Sequence, residues 1–184
     1  MSDKQKAIDT ITIFLKDKSK RILLIRGYDN DIKLAVALSC LNQQFSKGII
    51  RTSSMSDISF HINRAFNKNL LPSKVKSTTT YKLGSMSVKI NSYTTRTKSN
   101  PTGTENTFTL YYPVQTVLDD PKRYNKFLSD LLDSHSSKIL LLTSNEWSIK
   151  NLDIEKHVDQ VFFYDVENDN PEIMHNLRAN GAVR

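Results

Sequence analysis

Short apolar runs separated by helical patterns constrain the fold of this chain more than any other feature. Residues 22–25 and 139–142 are continuous apolar runs of the kind that fills a strand buried on both faces. Residues 107–112 and 158–164 predict two further strands, and amphipathic spacing predicts helices between the strands. Strands that alternate with helices favour an α/β fold with a mostly parallel sheet flanked by helices.

The domain organisation follows from length and from one irregular stretch. A chain of 184 residues with 38% hydrophobic residues suits a single α/β domain spanning residues 1–184. Residues 80–83 and 87–93 predict a hairpin around Gly84-Ser85, within an insertion at about 72–105. We expect this hairpin to form a two-stranded ribbon of the kind that lies along a nucleic-acid groove or grips a single nucleic-acid strand.

Charge is distributed unevenly along the sequence. Residues 58–104 contain eight Lys or Arg and no Asp or Glu, whereas residues 105–184 carry an acidic excess. An exposed surface normally mixes both signs, so this stretch predicts binding to nucleic acid, to DNA rather than RNA, although basic surfaces that serve only solubility are the alternative. The predicted contacts are the cations together with two tyrosines that could stack on bases: Arg64, Lys68, Lys74, Lys76, Lys82, Lys89, Arg96, Lys98, Tyr81 and Tyr93.

Several classes of site and location find no support. Cys40 is the only cysteine and lies in an apolar run, which rules out a disulfide framework or a cysteine-based zinc site. The four histidines are scattered without ligand spacing, so we expect no metal site. No run approaches the length of a membrane span, and the first ten residues are too polar for a signal peptide, which predicts a cytoplasmic protein without membrane contact.

The segment from Gly27 to Leu34 has the frame of the phosphate-binding motif G-x-x-x-x-G-K-[ST]. Gly27 and Lys33 occupy the first glycine and the lysine, directly after a predicted strand and at the start of a predicted helix. Ile32 replaces the second glycine and Leu34 replaces the metal-binding hydroxyl. The simpler interpretation places Lys33 on a solvated helix surface.

With these residues, the chain resembles P-loop NTPases of the AAA+ and RecA-like type. The resemblance implies that Asn145, after the 139–142 strand, takes the place of the polar sensor residue. It also places an acidic pair at the end of the 107–112 strand, but Pro113 and Val114 stand there instead. The resemblance therefore implies a P-loop-like core that has lost its catalytic residues, with no cofactor and no ATP hydrolysis.

The leading hypothesis is a non-catalytic nucleic-acid-binding protein, a subunit of a replication, recombination or defence assembly. A composition rich in Asn, Lys and Ile suggests a bacterial mobile element or phage. Two alternatives stay open. One is a protein-interaction adaptor or inhibitor that partners an active NTPase. The other is a nuclease or nucleotide-handling enzyme, for which Asp119, Asp120 and Lys122 supply the residue types, although Asp120-Pro121 is also typical of a helix N-terminus.

Overall fold

The computed structural model describes residues 1–95 and 100–183 and has an α/β fold with one seven-stranded sheet. Its elements are α1 (Asp3–Lys16), β1 (Ile22–Gly27), α2 (Asn30–Gln44), β2 (Lys47–Thr52), α3 (Ile58–Phe66), β3 (Thr80–Leu83), β4 (Met86–Ser92), β5 (Phe108–Tyr111), α4 (Gln115–Leu118), α5 (Pro121–Asp133), β6 (Lys138–Leu142), β7 (Gln160–Tyr164) and α6 (Pro171–Ala179). Two 3₁₀ turns, Glu146–Ser148 and Asp153–His157, lie between β6 and β7.

The strand order is β3-β4-β2-β5-β6-β1-β7, and among the pairs formed by the described strands only β3–β4 is antiparallel. The predicted mostly parallel sheet flanked by helices is therefore confirmed. Six strands end at the same side of the sheet, which we call the carboxyl edge. Ligand sites of parallel sheets collect at this edge.

The central strands are buried on both faces, as their continuous apolar runs predicted. Leu23 and Ile25 of β1 pack into a core with α1, α2, α3 and α6, whereas Leu24 points into a second core with α4 and α5. Alternation of side chains along a strand produces this division. Leu24, Leu140 and Phe162, each on one of these strands or on β7, are all buried.

The basic hairpin forms as predicted, but it is not a separate ribbon. β4 pairs with β2 in parallel from Lys47↔Ser87 to Thr52↔Ser92, so the hairpin extends the main sheet and β3 becomes its edge. Val88 and Ile90 supply the reason, because they are fully buried against the first core. The predicted hairpin is therefore present, as two strands of the main sheet.

The hairpin turn is held against α2. The side-chain oxygen of Asn42 accepts hydrogen bonds from the Ser85 backbone nitrogen at 2.9 Å and from the Ser85 hydroxyl at 3.0 Å. Within residues 1–95 and 100–183, no helix combines the length and the apolar character needed to cross a bilayer.

Candidate functional site

Gly27 and Asn145 lie at the same edge of the sheet, as the P-loop resemblance requires. β1 and β6 are neighbours, and the two residues line one depression of about 260 Å³ at the carboxyl edge. Asp29, Asp31 and Trp147 also line it. The depression lies where a nucleotide would be expected, so its chemistry decides whether phosphate can bind.

Lys33 does not face this depression as a free cation. Its Nζ donates to the Gly27 carbonyl at 2.6 Å, to the Thr143 carbonyl at 2.7 Å and to the Thr143 hydroxyl at 3.3 Å. The residue is only 2% exposed, and burial lowers its pKa to about 7, although Glu146 and Asp29 act in the opposite direction. The simpler interpretation, which placed Lys33 on a solvated helix surface, is therefore wrong. The Lys33 side chain connects the end of β1 to the end of β6.

A second buried lysine is held in the same way. Lys138 Nζ donates to the carbonyls of Phe14 at 2.9 Å, Asp17 at 2.5 Å and Lys20 at 2.5 Å, which fixes the end of α1 against β6. A buried ammonium surrounded by carbonyl oxygens therefore serves this chain as a structural connection in two places.

Close contact with β7 requires a glycine at position 27. Its φ is +105°, and a Cβ at this position would lie 2.0 Å from the Tyr164 carbonyl oxygen. The next backbone nitrogen, of Tyr28, donates to that same oxygen at 2.9 Å. Only glycine fits this close approach of two backbones, so no phosphate is needed to account for it.

The segment between β1 and α2 is too short and too acidic to surround a phosphate. Tyr28 and Asp29 alone separate the two elements, and the Asp29 side chain accepts the Ile32 backbone N–H at 3.1 Å. The carboxylate thus occupies the start of α2 where an anion would bind. Asp31 adds a second negative charge, which Arg64 contacts at 2.9 Å. Leu34, at the motif's hydroxyl position, is buried in the core.

Glu146 is the acid at this edge that sequence reasoning missed. Its carboxylate accepts from the Gly27 backbone at 3.1 Å, from the Thr143 hydroxyl at 2.9 Å and from Arg26 Nε at 2.7 Å. These bonds leave it fixed rather than poised to activate a water. Asn145, the predicted sensor residue, is exposed, with φ +47° at the start of the 3₁₀ turn. Glu146 could have been suspected from its position four residues after β6 ends.

Millimolar Mg–ATP or Mg–GTP is therefore expected to leave the thermal midpoint unchanged and to undergo no measurable hydrolysis. The reason is that Lys33 is already bound by protein oxygens and Asp29 occupies the helix start. A ligand at one hundred times its Kd would stabilise the fold by about 2.7 kcal/mol, which a thermal-shift assay detects. A clear upward shift with either nucleotide, or turnover that Lys33→Ala abolishes, would contradict this account.

Three exposed lysines lie on the sheet face opposite the first core. Lys82 lies opposite Ser87, Ser87 lies opposite Lys47, and Lys89 follows two residues after Ser87 on β4. The three lysines are exposed, and no salt bridge found in the described part of the chain includes them. We call Lys47, Lys82 and Lys89 the basic sheet face. Lys47 was missed because its strand precedes the acid-free stretch.

The other predicted cations are placed elsewhere. Arg64 and Lys68 belong to α3 and the turn after it, on the opposite side of the sheet. Arg64 is engaged by Asp31 and lies over the Phe60 ring at 5.1 Å. Lys74 and Lys76 are exposed in the segment before β3. Arg96 and Lys98 lie outside the described residues. The structure therefore does not bring the ten predicted residues to one surface.

The two predicted stacking residues differ in exposure. Tyr81 is half-buried, and its hydroxyl accepts the Lys76 backbone N–H at 2.7 Å. Tyr93 is 3% exposed and packs edge-on or tilted against Tyr111 and Phe127. Its ring has no free face for a base, so the expectation that Tyr93 stacks on nucleic acid is wrong. The residue was predicted as exposed because it ends an alternating strand, but α5 covers that end.

The two aspartates of the nuclease alternative bind backbone N–H groups of the protein itself. Asp120 accepts the Arg123 backbone N–H at 3.0 Å at the start of α5, and Asp119 accepts that of Asn151 at 2.8 Å. Across residues 1–95 and 100–183, no group of three His, Cys, Asp or Glu side chains is placed to hold a metal ion.

The chain matches no protein-family model, and no curated protein is significantly similar to it in sequence. What the chain does has to be inferred from its own residues.

Proposed function

We propose that this chain is a non-catalytic nucleic-acid-binding protein with a degenerate P-loop-like core. The observation that carries the proposal is the basic sheet face, where three exposed lysines lie on adjacent strands without a carboxylate partner among the described residues. Neighbouring strands are about 4.8 Å apart, so Lys47 and Lys82, two strands apart, lie about 10 Å from each other. Several cations at such spacing can contact successive phosphates of one nucleic-acid backbone.

The segment between β1 and α2 supports the non-catalytic part of the proposal. The strands that the P-loop comparison requires are neighbours, with β1 between β6 and β7 and β5 next to β6. Yet Lys33 is buried against protein oxygens and Asp29 caps α2. A core of this kind would act as a scaffold for a binding face. A cytoplasmic subunit of a larger nucleic-acid-processing assembly, acting on DNA rather than RNA, is part of the same proposal.

Replacing Lys82 and Lys89 with glutamine is expected to weaken binding to a fluorescently labelled 20-nucleotide DNA. For this single-stranded probe, the logarithm of the binding constant should also fall less steeply with the logarithm of salt concentration, by about 0.7 for each phosphate that the variant no longer neutralises. Fluorescence anisotropy at several salt concentrations measures both quantities, with an RNA of the same sequence as the comparison for ligand class.

Lys16→Gln/Lys18→Gln is the matched control. Both lysines are exposed at the end of α1, on the opposite side of the sheet, and the change in charge is the same. The control should bind like the wild type. Equal loss of affinity in the two variants would mean that net charge alone, rather than this face, controls binding, and would contradict the proposal.

A protein-interaction adaptor is the second candidate, and one observation favours it. Among the described residues, the edge strand β7 pairs with β1 alone, and it exposes Val161 and Phe163, each 41% accessible. Unpaired strand edges with apolar side chains are typical places for another chain to add a strand. Binding to a partner NTPase that is abolished in Val161→Lys/Phe163→Lys and retained in Lys82→Gln/Lys89→Gln would support this second function.

A further inference from the structure

A groove runs along the exposed side of α5, next to residues 93–95. It consists of two adjoining hollows of about 680 and 560 Å³ that share Thr94 and Lys126. The larger hollow lies at the carboxyl edge, where the segments after β2 and β4 meet the first turn of α5. We call this the α5 groove. Hollows of several hundred cubic ångströms are the size of ordinary ligand sites.

The α5 groove is lined by cations that lie outside the acid-free stretch and were not among the predicted nucleic-acid contacts. Lys122 and Lys126 are four residues apart on α5 and therefore share one helix face, and Arg123 lies beside them. The net charge of residues 105–184 hid these cations, because acids elsewhere in that stretch outnumber them. Within the described parts of the chain, no ion pair was found for Lys122 or Lys126.

The carboxylates of the groove are already compensated. Asp120 caps α5 through the Arg123 backbone and lies 3.8 Å from the Arg123 side chain. Asp130 is 5% exposed and forms a two-point ion pair with Arg51, at 3.2 and 2.5 Å. The unbalanced charge of the groove is therefore positive.

The remaining lining favours an oxygen-rich ligand. Ser53, Ser54, Thr94 and Thr116 place hydroxyl groups around the larger hollow. Tyr93 forms part of the smaller hollow, but its hydroxyl donates to the Pro113 carbonyl at 2.5 Å and its ring is packed in the second core. Lysines and hydroxyls are the groups that contact phosphate and sugar, whereas none of the described residues that line the groove offers a free aromatic face to a base.

We infer that the α5 groove binds the sugar-phosphate backbone of a single-stranded nucleic acid. The inference rests on the proposed function and extends it, because the groove and the basic sheet face lie on the same side of the sheet. Lys89 on β4 and Tyr93, the first residue after β4, are separated by about 13 Å along the chain at 3.3 Å per residue. A flexible strand can follow both surfaces and enter a concave groove, whereas a duplex has a rigid backbone and contacts the flatter sheet face alone.

The test compares Lys122→Gln/Lys126→Gln with Lys82→Gln/Lys89→Gln and with the control Lys16→Gln/Lys18→Gln. Each protein is titrated with a labelled 20-nucleotide oligothymidine and with a 20-base-pair duplex across a salt series, after circular dichroism has confirmed folding. For the single strand, removing the two cations that neutralise phosphates in the groove should make the salt slope shallower by about 1.4. Binding of the duplex should be unchanged in this variant.

The outcomes separate the inference from the function on which it rests. If only the sheet-face variant loses affinity, the groove inference is overturned and the proposed function stands. An equal loss for single strand and duplex in the groove variant overturns the preference for a single strand. If the wild type binds neither probe, the proposed function fails, and the inference fails with it.

Discussion

Replacing Asp130 with alanine is expected to lower the free energy of unfolding by about 3–5 kcal/mol, the usual cost of removing one partner from a buried ion pair. Arg51 would keep its charge while its side chain is only 6% exposed. The Tyr111 hydroxyl, which donates to Asp130 at 2.6 Å, would also lose its acceptor. Urea unfolding followed by circular dichroism measures the loss.

The double variant Arg51→Met/Asp130→Leu provides the control for this prediction. It removes both charges together and should recover part of the loss, because no uncompensated charge remains buried. A loss below about 1 kcal/mol in Asp130→Ala would contradict the buried pairing, since exposed ion pairs have effects of that size. The pair connects β2, which carries Lys47 of the basic sheet face, to α5, which lines the α5 groove.

Truncating Leu140 to alanine is expected to cost about 2–5 kcal/mol, because the removed methyl groups no longer pack and leave an unfilled cavity. Leu140 is fully buried at the centre of β6, in register with Leu23 of β1 and Leu110 of β5. Because it lies between two buried strands, the surrounding structure has little freedom to collapse into the space. The midpoint of urea unfolding should fall while the slope of the transition stays the same.

Leu132 offers a control with the same substitution. It lies on α5 and is 82% exposed, so Leu132→Ala should change stability by no more than about 0.5 kcal/mol. Similar losses for the two variants would place Leu140 outside a packed core and contradict the sheet order described above.

The sequence was sufficient to predict the elements but not all of their pairings. The apolar runs of β1 and β6 identify central strands because only a strand covered on both faces needs side chains of that kind at every position. The pairing of β4 with β2 was not predictable, because the alternation of Val88 and Ile90 fits a free hairpin as well as a sheet edge. A local sequence pattern does not indicate with which other strand a given strand will pair.

The candidate site, like the strand pairings, could be predicted from the sequence only in part. The substitutions at Ile32 and Leu34 predict a segment without the usual phosphate-binding chemistry, and the structure adds that Lys33 turns inward to carbonyl oxygens. Those oxygens belong to residues at the ends of β1 and β6, which are far apart in the sequence, so no motif records the contact. Lys47 and the α5 lysines were not predicted as nucleic-acid contacts for the same reason, because charge summed along the chain does not reveal which strands and helices share a face.

The most direct test of the central claim is the salt dependence of binding between the wild-type protein and a labelled single-stranded DNA. The proposed function predicts that the logarithm of the binding constant falls linearly with the logarithm of salt concentration, with a slope steeper than about −2 if three or more phosphates are contacted. A slope near zero, or no binding at low salt, would show that the exposed lysines do not form a nucleic-acid interface and would contradict the account.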